Sequence, residues 1–363
     1  MNLEYLSFRS KRRFGVEIEV NRHHTQNKLA GIVNDALGEH LCEPSGWGYS
    51  CNNEIWAVKP DSSCGDLGHK DQDGGGYEVA SAVGHGPRHL DDIEKVTAAL
   101  QTAKAEVNNF CGLHVQVEIK DFDDERAATL LALWCRIEPV ISHAVPKRRT
   151  ESHHCRFHTK NKKLWPSAQR ATSAKEFWGI MKLKSLGAPA KRNTITLVNY
   201  QRTKSHSYEW DYFNRSTVEL RIPESSLDAY HVKNWARLFV HFVETASRKP
   251  FPSTLKVARF DEVLEILGLK SVTAECSVLS PGLFETKCWF LRRLKEYARS
   301  QQVSRVVSRY WQEIVAPTMQ WRFAFPQVEQ PFVQVLPPVR TKSDNGAPSP
   351  ASRGVCLPTA AAS

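Results

Sequence analysis

Apolar and polar residues alternate with a period of two in three short stretches of this chain. In Phe14-Gly15-Val16-Glu17-Ile18-Glu19-Val20 the residues Phe14, Val16, Ile18 and Val20 share one face, and Glu17 and Glu19 share the other. Leu113 to Ile119 repeats the pattern with His114, Gln116 and Glu118 on the polar side. Val218 to Ile222 repeats it with Glu219 and Arg221. Strands turn successive side chains to opposite faces, so each stretch predicts a strand. Residues 54–59 and 77–83 predict two more. Helical spacing of apolar residues predicts a short helix over 29–41 and a longer one over 89–107, with Leu90, Ile93, Val96, Leu100, Ala103 and Val107 on one side. Further helices are predicted over 127–141, after an N-cap at Asp228, over 260–267 and over 285–299. The rest of 42–76 reads as loop. The expected fold is α+β: an antiparallel, partly curved sheet with one face lining a site and helices on the other.

The polar faces of these strands are unusual. A half-exposed sheet ordinarily turns Thr, Lys and Ser outward, whereas here glutamates recur with a histidine and an arginine. Glu17 and Glu19 are two strand rises apart, about 7 Å between α-carbons. Two carboxylates at that spacing repel each other, and a hard divalent cation such as Mg2+ or Mn2+ relieves the repulsion through oxygen ligands. A solvated strand face explains the pair equally well. Glu219 and Arg221 read either as a self-paired surface strand or as a metal ligand beside a phosphate- or carboxylate-binding arginine. His114 follows Gly112, where the backbone can approach a partner closely; taken alone it reads as a core histidine or as a ligand. Glu78, after three glycines and Tyr77, and the turn Asp61-Ser62-Ser63 carry little signal by themselves.

Composition narrows the classes. The chain has 363 residues, 41% of them hydrophobic, enough for a substantial core. No apolar run approaches the roughly 18 residues that span a bilayer, so no membrane partner is expected. Residues 1–13 are polar and basic, without a secretory apolar core. The nine cysteines form no CxxC pair, and a reduced, cytoplasmic setting is expected. The net charge is +10 and the pI about 9.1, which favours an anionic partner. Residues 143–215 hold 16 Lys and Arg against 4 Asp and Glu, more than the whole excess. One large domain is expected over 1–316, with this basic insert and a helical C-terminal part over 251–316. Residues 317–363, rich in Pro, Gln and small residues, read as a disordered tail.

Taken in order, the motifs resemble those of a known family. FGVEIE at 14–19 is followed by W-x-V-x-x-D-x-S at 56–63, then by YEVAS at 77–81 and CGLHVQV at 111–117. VELRIPESSLD at 218–228 comes last, with a Trp-bearing helix after it. This order resembles the amidoligases, ATP-dependent carboxylate–amine ligases of the glutamine-synthetase and glutamate–cysteine ligase superfamily. The resemblance implies a glutamine-synthetase-like catalytic sheet backed by helices. It implies that Glu17, Glu19, Glu78 and Glu219 bind Mg2+ or Mn2+, and that His114 and Arg221 are catalytic and contact ATP phosphates or the substrate carboxylate. Asp61 and Ser63 fall where relatives shape the substrate side. Arg192 and Asn199 match a family Arg…Asn element, as substrate and nucleotide contacts respectively. Where relatives often carry a second histidine, this chain has Gln116, which hydrogen-bonds but does not titrate near neutral pH. It is therefore read as a substrate contact, with no proton-transfer role carried over.

The implied partners are ATP, an amino-acid, small-acid or peptide carboxylate, and ammonia or another amine. No Gly-x-x-x-x-Gly-Lys-Ser/Thr loop is present, as suits a superfamily that grips ATP by metal and sheet. The basic stretch mixes lysines and arginines with aromatics such as Phe157, Trp165 and Trp178. It reads as a lid over ATP and an acidic substrate, as a solvated insertion with its own small core, or as a nucleic-acid surface. Two rival functions therefore stand beside the ligase: a nucleic-acid or protein binder on the same scaffold, and a metal-dependent phosphotransferase.

Overall fold

The computed structural model describes residues 11–38, 40–46, 54–64, 75–185, 192–197, 216–272 and 281–312. In chain order the strands and helices are β1 (Phe14–Val20), α1 (Gln26–Leu37), β2 (Cys42–Pro44), β3 (Trp56–Asp61), β4 (Gly76–Ala80), α2 (Gly86–Thr102), β5 (Leu113–Glu118), α3 (Asp124–Ile141), α4 (Lys147–Glu151), α5 (Trp165–Ala168), α6 (Ala174–Ser185), β6 (Ile195–Thr196), β7 (Thr217–Leu220), α7 (Ala229–Ala246), α8 (Phe260–Ile266), α9 (Pro281–Tyr297) and α10 (Gln301–Tyr310). Asn199 and the tail from residue 317 lie outside the described residues, as does much of the basic stretch.

Among the described residues, seven strands form one sheet in the order β2-β3-β4-β1-β5-β7-β6. All neighbours are antiparallel except β2 and β3, which run parallel, so the sheet is mixed rather than purely antiparallel. Sequence reading missed β2 because three residues show no alternation. The parallel pair also needs a longer connection than a hairpin turn, which the Gly-, Ser- and Asn-rich stretch after β2 supplies. The period-two pattern places Val16, Ile18, Val58, Val79, Val115, Val117, Val218 and Leu220 on the helix-covered face, all buried. Helix α1 packs on β2 and β3, α7 on β5, and α2 on both α1 and α7.

The helices begin and end where local chemistry dictates. The Thr25 hydroxyl accepts from the Lys28 amide, so α1 starts before the first apolar residue of its stripe. Asp123 and Asp228 cap α3 and α7 in the same way. Helix α2 stops at Thr102, short of the predicted 107, because Lys104 adopts a left-handed φ of 59° and breaks the ladder. Val107 is consequently exposed rather than part of the stripe. In α7 the predicted stripe of Val232, Trp235, Leu238, Phe239 and Phe242 is fully buried, with Trp235 stacked on Phe239.

The described part of the basic stretch joins the main core through Val145, Cys155, Phe157, Phe177 and Trp178. One buried carboxylate ties it there. Glu138, on α3, accepts from the amides of His158 (3.1 Å) and Thr159 (2.8 Å), the Thr159 hydroxyl (2.7 Å), the Trp134 indole N–H (3.3 Å) and the Thr194 hydroxyl. A carboxylate is acceptor-only, and this one is surrounded by donors. Glu138→Ala should strand several buried donors and cost about 3 kcal/mol, while Glu138→Gln should cost less. Urea unfolding of both variants checks this; an alanine variant as stable as wild type would refute the anchoring role.

Candidate active site

The face of the sheet opposite the helices gathers acidic side chains from four neighbouring strands. In register, Glu19 of β1 lies opposite Glu78 of β4, Glu17 opposite His114 of β5, and Gln116 of β5 opposite Glu219 of β7. Because side chains repeat every second residue, each register pair puts both members on the same face. His114, buried to 3% exposure, sits between carboxylates. Its Nδ1 lies 3.2 Å from Glu17 Oε2 and 3.7 Å from Glu219 Oε1, and its Nε2 lies 3.2 Å from Glu19 Oε1. Gln116 donates to the other Glu17 oxygen at 2.6 Å, and the Gly112 amide donates to Glu19. Ser225, in the PESS turn after β7, donates its hydroxyl to the Glu19 carbonyl at 2.6 Å and so pins the end of β1.

Three cations border the acids. Lys59 Nζ bonds Glu78 at 3.2 Å, Arg221 Nη1 bonds Glu219, and the buried Arg149 of α4 donates to the Arg221 carbonyl at 2.7 Å. Among the described residues, five carboxylates (Glu17, Glu19, Glu78, Glu219 and Asp61) thus face three side-chain cations. Burial, with the Asp61 charge added, holds the Glu19 carboxyl well above the usual carboxylate range. Burial and the Glu17 charge push Glu78 up to about 8 against the pull of Lys59. Burial and the nearby Arg221 hold His114 well below its ordinary value, so it is neutral. A neutral imidazole donates from one nitrogen and keeps a lone pair on the other, which leaves it able to act as a ligand.

Among the described residues, two groups of donors are close enough to hold cations. Glu17, His114 and Glu219 form one, Glu19, Asp61 and Cys64 the other; within each, the ligand atoms lie within 4.8 Å of one another. The two carboxylates of the first set suit Mg2+ or Mn2+, and the imidazole adds a nitrogen donor of the kind that softer first-row ions prefer. The second set adds a sulfur. A divalent ion bound here would neutralise this surplus of acids; protons take that part where Glu19 and Glu78 are held protonated.

The structure brings together Glu17, Glu19, Glu78, His114, Gln116, Glu219 and Arg221. Glu78 stands apart from both donor groups, held by Lys59. Asp61, assigned on resemblance to the substrate side, joins Glu19 and Cys64, and its carboxylate accepts from the Ser63 amide at 2.7 Å. Arg192 is exposed; its charge reaches His154, which also feels Arg221, Asp61 and Arg149. Sequence reading missed Lys59, Arg149, Cys64 and Cys111. Lys59 shares the parity of Asp61 on β3 and was open to discovery by period two. Arg149 was not, because nothing in Lys147-Arg148-Arg149 tells the buried member from its exposed neighbours. Cys64 and Cys111, remote in sequence, are buried thiols hydrogen-bonded to each other beside Glu19.

A carboxylate-lined site on one face of an α+β sheet is the class of protein that this geometry defines. A family model described as "Putative amidoligase enzyme" matches residues 10–243, and the chain belongs to that family. Among solved structures, the chain is similar to a crystal structure described as a novel glutamine synthase homolog, at 12% identity and a TM-score of 0.35, over 83% of this chain and 70% of that one. No curated protein matches significantly. No helix among the described residues is long and apolar enough to cross a membrane.

The raised carboxyls carry a stability signature. A carboxyl whose folded pKa exceeds its unfolded value stabilises most at low pH and loses that contribution as pH rises through the folded value. In EDTA, wild type should therefore lose about 2–4 kcal/mol relative to Glu78→Gln between pH 5 and 8.5, and added Mg2+ should restore it at the alkaline end. Thermal melts of both proteins check this. Parallel pH curves in EDTA would show that Glu78 is not held protonated.

Proposed function

We propose that the protein is an ATP- and Mg2+-dependent ligase that joins a carboxylate to an amine through an acyl phosphate. The observation that carries this reading is the convergence of Glu17, Glu19, Glu78 and Glu219 with His114 and Arg221 on one sheet face. Family membership supports a ligase in general terms; the metal is our inference from the donor set, and the nucleotide and the intermediate are what the resemblance to amidoligases implies. On this reading the sheet is a glutamine-synthetase-like catalytic sheet, and the six described cysteines, all free, suit a reducing cytoplasm.

Amide formation from a carboxylate is unfavourable in water, so the acid must be activated. Transfer of the γ-phosphoryl group to the carboxylate oxygen forms the acyl phosphate and releases ADP. Attack of the amine nitrogen on the acyl carbon then forms the C–N bond, expels phosphate and releases a proton. Both steps concentrate negative charge, and catalysis is mostly positioning and electrostatic stabilisation. Bound Mg2+ or Mn2+, which Glu17, Glu219 and His114 and also Glu19 with Asp61 would hold, would supply Lewis acidity and neutralise developing negative charge. Glu78, braced by Lys59, stands beside these donors but outside both groups. Arg221, fixed by Glu219, presents its guanidinium to the transferring group. Gln116 locks the Glu17 carboxylate by donating to it. Asp61 and Ser63, partly exposed at the end of β3, stand where the acid would enter, with Arg192 further out.

Hydroxylamine trapping over a panel of carboxylic and amino acids tests the reading. The ligase should yield a hydroxamate and ADP with ATP and its proper acid. Glu17→Gln and Glu219→Gln should each lower turnover by about 1000-fold or more with melting temperatures within a few degrees of wild type. ATP consumption with phosphorylated product and no hydroxamate would indicate a phosphotransferase. Full activity in either variant would remove the site from the chemistry.

A further inference from the structure

Two sulfurs meet two carboxylates at one edge of the acidic face. Cys64 follows β3 and Cys111 precedes β5; both are buried, and their thiols hydrogen-bond each other. Asn108 ties the two segments together. Its carboxamide oxygen accepts from the Cys111 amide (3.2 Å) and the Cys111 thiol (3.3 Å), and its nitrogen donates to the Cys64 carbonyl at 2.8 Å. The sheet makes room for Cys64 at Gly76, where a Cβ would lie 2.6 Å from the Cys64 Cβ. The Cys64 sulfur in turn lies within 4.8 Å of carboxylate oxygens of Glu19 and Asp61. Glu19 accepts from the Gly112 amide and lies beside His114, and Asp61 accepts from the Ser63 amide. A carboxylate has about four lone-pair positions, so both keep some for a further partner.

Magnesium takes oxygen ligands, whereas thiolates select softer ions. Two sulfurs with two carboxylates have the number and kind of donors that a tetrahedral zinc ion takes. The group of Glu17, His114 and Glu219 has no sulfur and lacks that preference. We propose that Cys64, Cys111, Glu19 and Asp61 form a site for a thiophilic divalent cation of the zinc type. On binding, two metal–sulfur bonds form, two S–H bonds break and both protons pass to solvent. Arg149, whose charge acts on Glu19 and on Cys111, offsets part of the negative charge so created. The site itself rests on geometry alone. One consequence rests on the ligase reading: a thiophilic ion would compete with Mg2+ for Glu19 and Asp61 and slow the reaction.

Titration of the reduced full-length chain with Co2+, a spectroscopic stand-in for zinc, tests the site. Wild type should develop a sulfur-to-cobalt charge-transfer band that saturates with one ion. Zn2+ should abolish the band at stoichiometric addition, and a large excess of Mg2+ should leave it. Cys64→Ser and Cys111→Ser should each lower the band by about half and weaken Co2+ binding roughly 10- to 100-fold. Thermal melts establish that each variant is folded. X-ray absorption of zinc-loaded wild type needs no variant, and it should count two sulfurs at about 2.3 Å with oxygens completing the shell. A wild type without the band, a band kept whole in either folded serine variant, or a zinc shell with fewer than two sulfurs overturns the proposal. None of these readouts is turnover. Two-sulfur ligation in a protein that forms no hydroxamate would keep the ion site and remove the ligase. A hydroxamate-forming protein whose zinc shell holds no sulfur would do the reverse.

Discussion

Like charge held close on one face of a sheet is the constraint on which this molecule turns. Register alone puts Glu19 against Glu78 and Gln116 against Glu219, and burial strengthens every repulsion among the acids. The surrounding side chains contain that repulsion. His114 stands between three carboxylates, Gln116 and the Gly112 amide each hold one oxygen, and Lys59 and Arg221 each neutralise one acid. The apolar residues alternating with these acids prevent the face from turning away, because a one-residue slip would bury the carboxylates among the helices.

Rigidity at the site comes from segments that bring no acid to it. The turn after β7 fastens β1 through Ser225, and α4 fastens the exit of β7 through Arg149. Glu138 in turn anchors the segment beyond α4 by gathering amides and hydroxyls onto one buried carboxylate. Preorganisation of this kind allows a site to stabilise developing charge without rearranging as it forms. The basic stretch, conspicuous in the sequence only for its charge, contributes in its described part mostly core and struts.

Much of this was legible beforehand. Strands β1, β5 and β7 were readable because one face had to be apolar, and that same alternation exposed Glu17, Glu19, His114, Gln116, Glu219 and Arg221. The stripe of α7 and the cap at Asp228 were equally plain. Strand β2 was too short to show a period. The end of α2 depended on a left-handed residue, Lys104, whose side chain gives no such signal. Arg149, Cys64 and Cys111 were silent because burial and contact between remote residues leave no local pattern.

The sequence by itself determined which side chains share a strand face, since the two-residue period is a property of the extended backbone. It therefore determined that acids and an imidazole would stand opposite an apolar core. Only the tertiary structure decided which strands are neighbours and in what register. It also decided that Asp61 and Cys64 approach Glu19, and that one arginine among many, Arg149, is buried against Gly112 near the acids. Those outcomes depend on how segments far apart in the chain close on one another, and side-chain periodicity, a local quantity, carries no record of that closure.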